Sequence, residues 1–245
     1  MFTPRYLALC CSLLAGSAVA ADGTGLLRQP DISAQHLAFV YGGDIWISNK
    51  DGSAPRQLTN HPASEFAPHF SPDGKWLAFS GSYDNNTDVY IVPVTGGQPT
   101  RLTYHPGADT VNGWSPDGKA VLFASNREIA NSRSNQLFSV PVTGGYEQKL
   151  MEAVAFEGEL DSSGNKLFYR PNNMAYSGAS GWRLHRGGST PPVWIIDLNQ
   201  QKLEKIPHPN ANDFNPFWLN DTAYFLSDRD NTAVNLFRYS NQQVE

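Results

Sequence analysis

The chain has 245 residues, of which 40% are hydrophobic and 17% charged, and its formal net charge is −5. This apolar content is too high for a disordered tail, and the acidic balance disfavours a nucleic-acid binder, which normally has a basic face. The length suits one large domain or two small ones and is ample for a buried core. The 21 glycines and 17 prolines make the sequence rich in turn formers.

The first twenty residues have the features of a secretory signal peptide. Arg5 precedes an apolar run from Leu7 to Ala20, which ends in the small-residue site Ala18-Val19-Ala20. A membrane anchor is disfavoured because a spanning helix needs about 20 apolar residues. We therefore expect cleavage after Ala20, export to a bacterial periplasm and no membrane span. Both cysteines lie inside this segment, so residues 21–245 would have neither a disulfide nor a thiol nucleophile.

One pattern recurs through the rest of the chain. Each copy has a turn, of which Ser-Pro-Asp-Gly is the clearest form, followed by an apolar stretch typical of a buried strand. Successive copies end 40, 44, 46 and 57 residues apart, at Phe39, Phe79, Phe123, Tyr169 and Leu226. A period in the low forties with strand-like content is typical of WD-like β-propeller blades.

The spacing predicts an all-β domain at 21–245, made of blades with about four strands each. Five units are visible, at about 26–62, 63–106, 107–153, 154–209 and 210–245. The fifth is expected to stop after the strand at 236–239, without its last turn and strand. Six blades would need about 260 residues. We therefore expect an incomplete six-bladed propeller, truncated at its C-terminal side, in the front part of a longer protein.

Several local motifs have simpler structural interpretations. The Gly-Gly pairs at 96–97 and 144–145 predict hairpin turns, because no helix follows them to bind a phosphate. The polar segment 84–88 begins like a calcium loop but lacks the later glycine and glutamate, so a capped polar loop is predicted. His61, His105 and His208 each precede a proline near a blade end, which indicates a repeated structural role. We assign no metal site and no cofactor.

Arg127 and Arg133 flank a polar insert, 126–135, between two strands of the third unit. The insert can be a solvated loop, or the two arginines can clamp a carboxylate, which a guanidinium binds through two parallel hydrogen bonds. A second, longer insertion at 171–192 explains the widest spacing. No G-x-S-x-G elbow occurs, and we assign no catalytic residue to this chain.

Several longer strings resemble the N-terminal part of tricorn-type serine peptidases. They are residues 26–33 (LLRQPDIS), 43–46 (GDIW), 83–90 (YDNNTDVY), 101–109 (RLTYHPGAD), 185–188 (HRGG) and 193–197 (VWIID). The likeness covers about 26–240. It implies a six-bladed propeller that guides peptides, with the nucleophilic serine in C-terminal domains of the same polypeptide and outside this chain. It also implies that arginines hold the substrate's C-terminal carboxylate. Ser132-Arg133 matches that place, with Arg127 a looser match.

The repeats alone also resemble periplasmic propellers of the Tol system, which bind proteins and have no enzymatic activity. The first hypothesis is thus a propeller that gates and orients peptides for a serine peptidase, and the second is a periplasmic protein-binding propeller. The expected partners are peptide substrates and the C-terminal domains of the same polypeptide, with homo-oligomer formation left open and nucleic acid excluded.

Overall fold

The structure, a computed structural model, describes residues 26–129, 134–172, 190–230 and 233–245. The predicted signal peptide at 1–20 lies outside the described residues. The described part contains twenty short strands and one 3-10 turn, Tyr83–Asn85. None of its helical segments is long and apolar enough to cross a membrane.

The strands form five sheets of four, and each sheet uses four consecutive strands in sequence order. The strands are β1 (Arg28–Ile32), β2 (His36–Tyr41), β3 (Asp44–Asn49), β4 (Arg56–Gln57), β5 (Glu65–Phe70), β6 (Trp76–Gly81), β7 (Asp88–Pro93), β8 (Thr100–Arg101), β9 (Asp109–Trp114), β10 (Ala120–Ser125), β11 (Gln136–Pro141), β12 (Gln148–Lys149), β13 (Glu157–Leu160), β14 (Lys166–Arg170), β15 (Trp194–Asp197), β16 (Lys202–Lys205), β17 (Asp213–Leu219), β18 (Thr222–Ser227), β19 (Asn235–Ser240) and β20 (Gln243–Val244).

All pairings within a sheet are antiparallel, and the first strands of neighbouring sheets contact each other in the order β1, β5, β9, β13 and β17. The five sheets are therefore the blades of a ring, with their first strands innermost. This confirms the predicted all-β propeller of four-stranded blades, which we number 1 to 5 along the chain.

The hydrophobic core lies between adjacent blades. Phe79 of blade 2 packs against blade 1, Phe123 of blade 3 packs against blade 2, and Phe168 of blade 4 packs against blade 5. All three rings are fully buried. Because inner blades are covered on both faces, β6 and β10 are buried along nearly their whole length. The strands β2 and β18 of the end blades instead alternate between buried and half-buried residues.

The repeated turn forms as its residues predict. In blade 2, Gly74 has φ +67° and its backbone N–H donates to the Ser71 carbonyl at 2.8 Å. The Asp73 carboxylate accepts from the Ser71 hydroxyl at 2.7 Å and from the Lys75 N–H at 3.1 Å. These bonds hold the chain reversal between the first and second strands of the blade. The Gly-Gly pairs likewise lie in the turns that follow β7 and β11.

The prediction that the fifth unit lacks its last strand was wrong. The last residues turn back at Asn241 and Gln242, which have φ +51° and +59°, and β20 pairs with β19. Two successive positive φ angles match the right-handed twist of a two-residue hairpin. The turn was missed because Asn-Gln contains no glycine, the usual residue at such positions.

Candidate functional site

Connections of two kinds lie at opposite ends of the ring. In an antiparallel four-stranded blade, the loop after the second strand and the connection to the next blade leave from one end. We call this the loop end; its described segments are 58–64, 82–87, 102–108, 126–129, 134–135, 150–156, 171–172, 190–193, 206–212, 228–230 and 233–234. The described residues that flank the two inserts singled out in the sequence lie there, whereas the Ser-Pro-Asp-Gly turns lie at the other end. The loop end is therefore the candidate functional surface.

An acid opens the innermost strand of every blade from the second to the fifth, and it is buried in all of them except blade 4, where it is half-buried. In order, these acids are Glu65, Asp109, Glu157 and Asp213. In the last three blades an arginine at or just beyond the end of the second strand pairs with the acid. The distances are 2.7 Å for Arg127 to Asp109, 2.8 Å for Arg170 to Glu157 and 3.0 Å for Arg229 to Asp213. A layer of ion pairs thus supports the loop end in blades 3 to 5.

Arg127 is fixed by contacts on several sides. Its side chain is 7% exposed, its Nη1 lies 3.0 Å from Glu147 Oε1, and its Nε donates to the Ser125 hydroxyl at 3.2 Å. The guanidinium carbon lies 4.9 Å and 5.1 Å from the ring centres of Phe123 and Phe138. Burial opposes ionisation of Glu147, but a backbone hydrogen bond and Arg127 outweigh it and lower the pKa of this carboxyl.

This geometry makes Arg127 the rigid base of the 126–135 insert. Protein carboxylates already engage its guanidinium, so the binding of a substrate carboxylate by Arg127 stays a prediction. Arg133, the stronger candidate, lies outside the described residues, as does most of the 171–192 insertion. The clamp by Arg127 and Arg133 therefore stays a prediction.

Blade 2 departs from this repeated pair. Tyr83 takes the place of the arginine: its hydroxyl donates to Glu65 Oε1, and its ring lies 4.6 Å from the Tyr90 ring. The Thr59 hydroxyl and the Ile45 N–H donate to Glu65 Oε2. Burial raises the pKa of Glu65, although these hydrogen bonds act in the opposite direction. The sequence analysis missed this site, which alignment of the strand-opening acids would have revealed.

Three titratable side chains come from the innermost strands at matching registers. Asp31, His69 and Glu159 each stand one residue before the last residue of their strand. Asp31 accepts from the Phe70 N–H at 2.6 Å, and Glu159 accepts from the Trp218 N–H at 3.1 Å. These carboxylates therefore cap the free inner edges of the following blades.

The surroundings of these axial groups shift two of their pKa values. Burial raises the pKa of Glu159 to about 7; the Trp218 N–H opposes this and the charge of Asp31 adds to it. Burial lowers the pKa of His69, which Asp31 partly offsets. The charge of Asp31 thus acts on both His69 and Glu159.

The His-Pro histidines have structural contacts. Nδ1 of His61 and of His105 accepts from the backbone N–H two residues later, at 3.0 Å and 2.9 Å. Nδ1 of His208 lies 2.9 Å from Asp213 Oδ2. Across the described ranges, no group of three or more histidine and acidic side chains could hold a metal ion.

Comparison with known proteins places the chain in a family. The family described as the tricorn protease N-terminal beta propeller domain matches residues 24–245. The chain belongs to this family. Tricorn protease homolog 1 of Streptomyces coelicolor is 28% identical over 214 residues, which are 85% of this chain and 19% of that protein. The chain thus spans about a fifth of the curated relative that it matches.

Solved structures of tricorn and TolB proteins share the fold of this tricorn-family propeller. The crystal structure of the tricorn protease superposes with a TM-score of 0.74 at 21% identity, covering 90% of this chain and 22% of that one. A putative TolB from Agrobacterium tumefaciens superposes with a TM-score of 0.70 at 20% identity, covering 90% of this chain and 79% of that one. At this level of identity, both comparisons support the fold alone.

Proposed function

We propose that the chain is the N-terminal propeller of an exported tricorn-like serine peptidase. In this role it gates and orients peptides for proteolysis by domains further along the same polypeptide. The observation that carries the proposal is the family match over residues 24–245. The share of the curated relative that the chain spans, 19%, is consistent with one domain of a multidomain enzyme.

The proposed peptide contact is the insert between β10 and β11. Arg127 anchors one side of the insert through Asp109 and Glu147. Arg133, six residues later, is proposed to bind the C-terminal carboxylate of the peptide. A guanidinium suits this task because its planar fork donates two parallel hydrogen bonds to one carboxylate.

The test uses the product of the complete reading frame that contains this chain. A fluorophosphonate probe should label a nucleophilic serine in that product and none in residues 21–245 alone. The intact protein should hydrolyse oligopeptides, and the propeller alone should not. Hydrolysis by the isolated propeller, or an intact protein with neither labelling nor hydrolysis, would contradict the proposal.

The clamp is tested in the intact enzyme by Arg133→Ala. The variant should raise KM for peptides with a free C-terminus by about tenfold or more, and much less for amidated peptides, because only the former present a carboxylate. Lys75→Ala is the control, since Lys75 is an exposed cation in the turn at the other end of the ring. Equal effects of Arg133→Ala on both peptide classes would eliminate the clamp.

Export is tested separately. The amino-terminal sequence of the mature protein should begin at Ala21, and the protein should fractionate with the periplasm. Retention of residues 1–20 in the mature protein would refute export through a cleaved signal.

A non-enzymatic periplasmic binding propeller is the second candidate. It is favoured by the superposition on the putative TolB, which extends over 79% of that chain. A reading frame that ends after one further blade, with capture of a specific protein partner and no serine labelling, would support the binding propeller. Several hundred further residues with peptidase activity would support the first candidate.

A further inference from the structure

We propose that the cleft between blades 1 and 2 binds the arginine side chain of a peptide segment, with the carboxylate of Glu65 as its counter-charge. This inference goes beyond the proposed function, because the cleft lies on different blades from the 126–135 insert. Its test measures binding by the chain itself and requires no peptidase activity, so the two proposals can fail separately.

The cleft is large enough for such a side chain. Its volume is about 500 Å³, and it is lined by residues of the outer strand of blade 1, the connection between the blades and the third strand of blade 2. The side chains that bear on the argument are those of Gln57, Asn60, His61, Glu65, Tyr83 and Tyr90. The cleft therefore combines a carboxylate, aromatic rings and amide groups.

Glu65 differs from its counterparts in having no cationic partner among the described residues. Asp109, Glu157 and Asp213 each pair with an arginine, whereas the donors to Glu65 are two hydroxyls and one backbone N–H. Glu65 is only 1% exposed. A buried carboxylate is costly unless a cation compensates it. A guanidinium that enters the cleft would supply the positive charge that an arginine of the same blade supplies in blades 3 to 5.

The hydrogen-bonding capacity of the carboxylate leaves room for a ligand. Oε2 accepts from Thr59 and Ile45, while Oε1 accepts from Tyr83 alone. An ionised carboxylate offers about four acceptor sites. One acceptor position on Oε1 thus remains unused, and Glu65 is among the residues that line the cleft.

The walls favour a planar cation. The His61 and Tyr83 rings lie 3.8 Å apart, and the Tyr83 and Tyr90 rings lie 4.6 Å apart. Because these rings already pack on one another, a guanidinium would stack on the outer face of the cluster; it is also less strongly hydrated than an ammonium. The same fold already places Arg127 and Arg229 over pairs of phenylalanine rings beside a buried acid.

The local charge also favours a cation. Asp44, at the start of β3, adds its negative charge to that felt by Glu65, and it accepts from Gln57 Nε2 at 3.0 Å and from the backbone N–H of His61 at 3.4 Å. The titratable groups around Glu65 are therefore Asp44, His61 and Tyr83, and none of them is a lysine or an arginine.

The experiment titrates the full chain with two matched probes, Nα-acetyl-arginine methylamide and Nα-acetyl-citrulline methylamide, by calorimetry or NMR. Citrulline keeps the shape of arginine but carries no charge. The arginine probe should bind about tenfold more tightly or better, since a charge-assisted hydrogen bond is lost with citrulline. A lysine probe should bind more weakly than arginine. Equal binding of arginine and citrulline, or no binding of arginine, would overturn the proposal.

Two variants locate the binding in this cleft. Glu65→Gln keeps an oxygen acceptor but removes the charge, and should weaken arginine binding about tenfold while leaving citrulline unaffected. Tyr83→Arg recreates the ion pair of blades 3 and 5, and should abolish arginine binding because an internal guanidinium satisfies Glu65. Circular dichroism checks that each variant is folded. Unchanged arginine affinity in folded Tyr83→Arg protein would place the binding elsewhere and refute the assignment.

Discussion

The substitution Glu159→Gln tests the raised pKa of Glu159, one of the three titratable residues on the innermost strands. Its ordinary pKa of 4.5 is raised to about 7 by burial, so between these values the folded protein binds more protons than the unfolded chain. Folding is therefore favoured at low pH, and stability falls as the pH rises from about 4.5 to about 7. One pKa unit corresponds to about 1.4 kcal/mol, so the full shift corresponds to about 3 kcal/mol.

The glutamine variant removes this penalty without removing the contact. Its side-chain oxygen can still accept from the Trp218 N–H, as the carboxylate does at 3.1 Å. We expect Glu159→Gln to match the wild type near pH 4, and its advantage to grow to about 3 kcal/mol at pH 8, most of it between pH 5 and pH 8. Asp31 and His69 are present in both proteins, so their direct effects largely cancel in the difference.

The assay is urea unfolding at several pH values between 5 and 8, with the difference in the free energy of unfolding plotted against pH. Asp73→Asn is the control, because the pKa of Asp73 is shifted in the opposite direction to that of Glu159. The Ser71 hydroxyl and the Lys75 N–H lower the pKa of this exposed carboxyl, so its contribution is lost only as the pH falls below its ordinary value. A difference between Glu159→Gln and wild type that stays constant from pH 5 to 8 would refute the raised pKa.

Two further predictions concern buried contacts, each measured by urea unfolding. Arg127→Met should cost about 3–5 kcal/mol, because Asp109 is fully buried, its Oδ2 accepts from Arg127 Nη2 at 2.7 Å and its Oδ1 has no hydrogen-bond partner; a loss below about 1 kcal/mol would contradict this account of the pair. Gly158→Ala should cost about 1–3 kcal/mol, because its Cβ would lie 2.8 Å from Leu137 Cδ1. In Gly74→Ala the new Cβ would have no contact closer than 3.6 Å, so the variant should lose only the left-handed backbone penalty of about 1–2 kcal/mol in its free energy of unfolding. If either glycine variant were as stable as the wild type, the reasoning would be contradicted.

The fold was predictable because its signals are local and repeated. The Ser-Pro-Asp-Gly turns specify chain reversals by side-chain capping and a positive φ at glycine, as at Gly74. The fully apolar stretch after each turn indicates a strand covered on both faces, as the burial of β6 and β10 confirms. The last turn escaped because Asn241 and Gln242 adopt positive φ without glycine.

The candidate site was less predictable because its residues are paired across long stretches of chain. Arg127 was singled out from its loop, but its partners Asp109 and Glu147 become apparent only when three segments meet. The triplets Ser125-Asn126-Arg127 and Ser227-Asp228-Arg229 are visible in the sequence, and each arginine has the same serine and acid partners. The repeated acids and arginines therefore predict these ion pairs, which the turn motifs alone do not.

Blade 2 departs from blades 3 and 5 in the partner of its buried acid. Blades 3 and 5 satisfy a buried acid with an arginine stacked on two rings, which is a complete internal solution. Blade 2 keeps the acid but replaces the cation by Tyr83, which supplies a hydrogen bond and no charge. A stability requirement alone would be met equally well by the arginine of the neighbouring blades. Burial disfavours the charged form of Glu65, and the external cation that we propose for the cleft would supply the compensation that an arginine supplies in blades 3 and 5.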